Sequence, residues 1–239
     1  EVVTLTGTLS INLDSGGVAF ISTFSGTNAS CAYTVLAGHT SPDLNVSSIT
    51  VSGTASDGVL NLLNTTLPIN NIATSSDIVI DTTAPTISSI ISPTANGAYT
   101  TGAVIAVRVN FSETVNLIGS MNLTLDTGGI VVINSFSGTT TLGSYTVLAG
   151  HTSSDLTVAN ISITGTAKDL STNNLDLTLP VSNINIGSNI VIDTTPPFVT
   201  SITSSTINGY YKSGNTINVT IQFSEPITLI GSMSISLDS

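Results

Sequence analysis

Apolar and polar residues alternate along most of this chain, and the alternation has a period of two. Val104-Ile-Ala-Val-Arg-Val-Asn-Phe111 sets its apolar side chains against Ala, Arg and Asn. That spacing predicts a strand with one buried face. Thr86 to Ile91 predicts the strand before it, and Val115 to Leu125 the one after, interrupted at Gly119-Ser120. Asp126-Thr-Gly-Gly129 reads as a hairpin turn, because glycine supplies the positive φ such turns need. Ile130 to Phe136, Leu142 to Leu148, Leu156 to Thr164, Leu175 to Leu179 and Asn189 to Ile192 continue the series. Turn signals recur about every 8–12 residues, the spacing of an all-β sandwich. No segment sustains an apolar period of 3.6, and abundant Val, Ile and Thr oppose helix.

The pattern then returns. Tyr33-Thr-Val-Leu-Ala-Gly-His39-Thr reappears as Tyr145-Thr-Val-Leu-Ala-Gly-His151-Thr, 112 residues on. Ile78-Val-Ile-Asp81-Thr-Thr-Ala-Pro85 reappears as Ile190-Val-Ile-Asp193-Thr-Thr-Pro-Pro197, and Glu1 is in phase with Glu113 and Glu225. A fixed period of domain length predicts a tandem array, with each copy large enough for its own core. The Asp-Thr-Thr-Ala-Pro run is the natural joint, since proline fixes φ and holds the residue before it extended. The expected division is therefore a trailing part at 1–80, a complete repeat at 81–192 and a leading part at 193–239. Residues 225–239 duplicate the phase of residues 1–15, which favours a window on a longer array over a unit whose ends complete each other.

The strand order and its motifs resemble the bacterial immunoglobulin-like repeats of giant surface and secreted adhesin-type proteins. The resemblance rests on Phe111-Ser-Glu113, Val115-Asn-Leu-Ile-Gly119, Asp126 to Gly129, Tyr145 to Gly150, Asp155-Leu156, Asp169 to Asn173, Leu177-Thr-Leu-Pro180 and Ile192 to Pro197. It spans nearly the whole chain. It implies tandem Ig-like β-sandwiches that act as filament body or spacer stalk, extracellular or at the cell surface. The alternative it leaves open is an adhesive module whose inter-strand loops recognise a glycan or a host protein.

Charge narrows the partners. Three Lys and Arg stand against 14 Asp and Glu, a net charge of −11. That balance excludes a nucleic-acid footprint and disfavours anionic lipid surfaces. Mean hydropathy is +0.44, yet the apolar residues come in short groups, so insertion into a membrane is not expected. The few basic residues leave strand edges without their usual charged guards, which predicts contacts with neighbouring repeats or other copies of the chain. Cys31 does not recur, because its counterpart is Gly143, so disulfides do not organise the array.

Five acidic positions recur in phase, and in so uncharged a chain they are the best site signal. Asp81, Glu113, Asp126, Asp155, Asp169, Asp193 and Glu225 are the candidate ligands of interdomain calcium, which takes six to eight oxygens. In an up-and-down sandwich Asp81 and Glu113 lie at the leading pole, the latter at the end of the second strand. Asp169 joins them if Val115 to Leu125 is one kinked strand. Asp126 and Asp155 then lie at the trailing pole, facing Asp193 and Glu225 of the next unit. The competing reading is turn chemistry, in which each Asp caps its own loop. His39 and His151 lack the further His or Cys that a transition-metal site needs, and no Gly-x-Ser-x-Gly elbow is present. The chain is not expected to be an enzyme.

Overall fold

The structure, a computed structural model, describes residues 1–238, and it is nearly all β. Its best-buried region lies between residues 87 and 192. There β4 (Ile87–Ile91), β6 (Val104–Leu125), β7 (Ile130–Thr146) and β8 (Val158–Lys168) form one antiparallel sheet, with β6 bonded to each of the others. A short parallel pair, β5 (Gly97–Tyr99) and β9 (Ile190–Ile192), completes the region. Ile105, Val107, Val109 and Phe111 are all buried, as their alternation requires, and share one core with Leu117, Met121, Leu123, Tyr145, Leu156 and Ile190.

Strand β6 is longer than its sequence pattern suggests. The two segments read separately as Val104–Phe111 and Val115–Leu125 run together as 22 residues, about 70 Å of extended chain. It changes neighbour midway. Its first half pairs with β4 and its second half with β8, while β7 follows it throughout. The register against β7 slips between Asn110 and Val115, so residues 111–114 bulge at the changeover. Glu113 therefore sits within a strand, not at the end of one.

The expected interruption at Gly119 is a second irregularity. Gly119 faces Gly165 across the β6–β8 ladder, and both hold positive φ. A Cβ on Gly119 would overlap the Thr164 carbonyl oxygen, and one on Gly165 would overlap that of Ile118. Only glycine lets the two backbones approach so closely. The two segments read as Ile130–Phe136 and Leu142–Leu148 also merge, into β7. Leu175–Leu179 is not a strand: Asp176 bridges Thr86, its N–H donates to the Pro85 carbonyl at 2.9 Å, and Leu175 N–H donates to the Ala167 carbonyl at 3.0 Å. Asp176 caps a local turn there instead, accepting from the Thr178 amide and hydroxyl at 2.9 and 2.7 Å. A single α-helical turn, Ile184–Gly187, is opened by Asn183, whose side chain also clamps the amide and carbonyl of Val158.

The N-terminal region repeats part of this pairing. Strand β1 (Val3–Leu13) lies between β2 (Val18–Gly26) and β3 (Val46–Ser56). Leu9 opposes Ile21 and Gly7 opposes Gly53, just as Met121 opposes Ile133 and Gly119 opposes Gly165. Leu5 and Leu117 are both fully buried. Near the C-terminus, β10 (Val199–Thr203) and β11 (Thr220–Phe223) pair with Val199 against Phe223, as Ile87 pairs with Phe111.

Candidate functional site: the joint around Asp81

The segment between β3 and β4 is bonded on both sides. On the preceding side, Ser41 and Ile80 exchange two backbone hydrogen bonds of 2.8 and 2.9 Å, and the Leu44 amide donates to the Ile78 carbonyl. Thr82 then accepts the Gly38 amide at 3.0 Å through Oγ1 and donates to the His39 carbonyl at 3.1 Å. On the following side, Asn173 Nδ2 donates to the Asp81 carbonyl at 3.1 Å. Val35, Val79, Ile80 and Asp81 line an open cleft with Leu170 and Ser171, so residues from both sides of the joint meet there.

The loop that receives Thr82 is itself fixed. Tyr33 and His39 stack and join through Oη and Nδ1 at 2.6 Å. Tyr145 and His151 do the same at 2.7 Å, and Thr194 bonds Gly150 and His151 as Thr82 bonds Gly38 and His39. The Leu148 amide points at His151 Nδ1, which marks that nitrogen as an acceptor and the phenol as the donor. Each histidine therefore holds its loop in shape. The glycine just before β7 makes room for the ring, since a Cβ on Gly129 would overlap the ring of Tyr145.

Of the seven acidic candidates, three converge. Asp81, Glu113 and Asp169 each place a carboxylate oxygen within 4.8 Å of the others, with Asp169 buried. Asp81 lies ahead of β4, Glu113 on the β6 bulge and Asp169 directly after β8, so chain ends and bulge meet at one place. Asp169 accepts the Asn173 amide at 2.8 Å and its side-chain Nδ2 at 2.7 Å. Asp81 accepts the Thr83 amide at 2.9 Å, a contact local to its own turn. Burial pushes the Glu113 carboxyl above its ordinary value, and the negative charges of Asp81 and Asp169 push it further.

The other four candidates lie elsewhere. Asp126 accepts the Ser153 hydroxyl at 2.6 Å and the Thr157 amide at 3.2 Å, which ties the β6–β7 hairpin to the loop before β8. Asp155 sits in that same loop with one buried, unpartnered carboxylate oxygen. Asp193 caps its own turn through the Thr195 amide at 2.9 Å. Glu225 follows β11. Among the described residues these four form no cluster of three acidic groups.

Chemically, three carboxylates this close have two options. Glu113 can keep a proton and relieve the repulsion, or the cluster can hold a hard cation such as calcium. Reasoning from sequence missed Thr82 and Asn173, although both lie in recurring runs, because acidic recurrence drew attention and neutral side chains did not. No family model, curated protein or solved structure matches the chain.

Proposed function

We propose that this chain is a structural segment of a long extracellular or cell-surface repeat protein. It is built of immunoglobulin-like β-sandwiches with a 112-residue period and serves as filament body or spacer stalk. The observation that carries this reading is the joint. A spacer has to transmit direction from one unit to the next, and the segment at Asp81 is bonded backward through Thr82 and forward through Asn173. A linker meant only to tether would leave those groups to solvent. In this reading a divalent cation at Asp81, Glu113 and Asp169 would tighten the same joint.

The test is small-angle scattering on the full chain and on a Thr82→Ala, Asn173→Ala double variant. The variant is expected to show a broader distribution of lengths, with a modest drop in melting temperature because Asn173 also donates to the buried Asp169 carboxylate. An unchanged distribution would remove the joint from the argument. The same measurement with calcium and with chelator decides between a cation and turn chemistry at the three acids. A change in stiffness supports the cation, and no change leaves the carboxylates to cap their turns.

A further inference from the structure

Strand β7 forms one border of its sheet, and β2 forms a border of the N-terminal sheet. Both edges are unguarded. Residues 18–26 and 130–146 contain no charged residue and no proline. Natural edges of such length are usually blunted by one or the other.

The hairpins fix which backbone groups face outward. Leu125 N–H donates to the Gly129 carbonyl and Leu13 N–H to the Gly17 carbonyl, both at 2.8 Å. Antiparallel alternation then turns the N–H and C=O of Ile130 and Val132, and of Val18 and Phe20, away from the neighbouring strand. At the other end of β7, Val147 bonds Gly102 and Ala103 with both its backbone groups. The same alternation turns Leu142 and Ser144 outward. The side chains of Val18, Phe20, Ile130, Val132 and Leu142 are exposed as well.

We propose that these two edges dock against the same edges of a second copy of this chain, extending each sheet across the contact. The occupant follows from spacing and charge. The edges open at Val18 and Ile130, 112 residues apart, and a partner that engages both must present strands at that same interval. Another copy does so by construction, and two linked contacts reinforce each other. The net charge of −11 would push copies apart, yet none of it lies on these strands. The pairing rests on the reading of the chain as filament body and adds the lateral contact by which filaments would bundle.

The experiment uses the full chain with Phe20→Lys and Val132→Lys, two exposed positions where lysine leaves the core untouched. Light scattering over a dilution series reports association, and hydrogen exchange reports the amides of Ile130, Val132, Leu142 and Ser144. The unaltered chain is expected to associate, in low and high salt alike, with those four amides becoming protected. The double variant is expected to lose the associated species while keeping its melting temperature. A monomeric unaltered chain overturns the proposal, as does association that leaves those amides unprotected or survives both lysines. A monomer whose joint stays stiff by scattering leaves the spacer function standing, so the two readings fail separately.

Discussion

The chain contains the same strand pair in two settings. In the central region β4 and β6 pair within the sheet that β7 and β8 complete, and Ile90 and Ile105 are both 0% exposed. One period later β10 and β11 keep the same register, yet Ile202 is 56% exposed and Ile217 43%. The same alternating segments thus pair in both settings, in the same register. Burial differs between the two settings: the central pair belongs to a sheet that also holds β7 and β8, whereas β10 and β11 form a two-stranded sheet. A two-stranded pair is marginal without further strands over it.

Substitutions at matched positions sharpen this contrast. The largest effect is expected at the paired glycines. Gly119→Ala forces a Cβ against the Thr164 carbonyl oxygen at a positive φ and should cost about 3–4 kcal/mol. Gly231→Ala, one period on, meets nothing within 4 Å. It retains only the cost of its positive φ, about 1 kcal/mol. Thermal melts of the two variants should differ widely, and equal losses would break the contrast. Next comes Ile90→Ala, expected to cost about 3 kcal/mol as a buried large-to-small change. Ile202→Ala should cost less than about 0.5 kcal/mol as an exposed one. Denaturant titration separates them.

A smaller loss, about 1 kcal/mol, is expected for Tyr145→Phe, which removes the hydroxyl that meets His151 from a buried ring. Tyr33→Phe should lose less, because Tyr33 is only half-buried. The smallest effect concerns Glu113. Its carboxyl is raised by burial and by Asp81 and Asp169, so the folded chain binds a proton more readily than the unfolded chain. Stability should therefore fall as pH rises from the ordinary glutamate range through the raised value. Glu113→Gln should flatten that slope and stabilise the chain slightly at neutral pH without divalent cation. A slope that survives the substitution would assign it to another group.

Much of the strand order was legible because alternation reports a buried face directly. Val104 to Phe111 reads correctly from its side chains alone, and Asp126 to Gly129 from its glycines. The union of two segments into β6 was not legible, because Ser112, Glu113 and Thr114 break the apolar pattern while the backbone passes through as a bulge. Leu175 to Leu179 failed for the opposite reason. It alternates, but Asp176 takes the local amide and hydroxyl of Thr178 in place of a neighbouring strand. At the site, Asp81, Glu113 and Asp169 do meet, but not by the strand count between poles: Glu113 does not end a strand, and the β6 bulge brings it to the other two. The placing of Asp126 does not follow from that count either, because Ser153 and Thr157 occupy its carboxylate, and nothing in the spacing signals that preference.

The two halves of the joint differ greatly in how far apart their partners lie in the chain. Thr82 reaches back 43 residues to His39, whereas Asn173 reaches back 92 to Asp81. On a ribosome these bonds would be made at different times. The backward clasp can close soon after Thr82 emerges, sealing the finished unit. The forward clasp must wait until nearly all of the next unit has been synthesised. On the proposed reading of the chain as a tandem array, order would be laid down from the N-terminus, each unit completed before it is oriented against its successor. That sequence keeps matching strands of neighbouring repeats from pairing with the wrong copy while both are unfolded, a hazard of tandem repeats during synthesis.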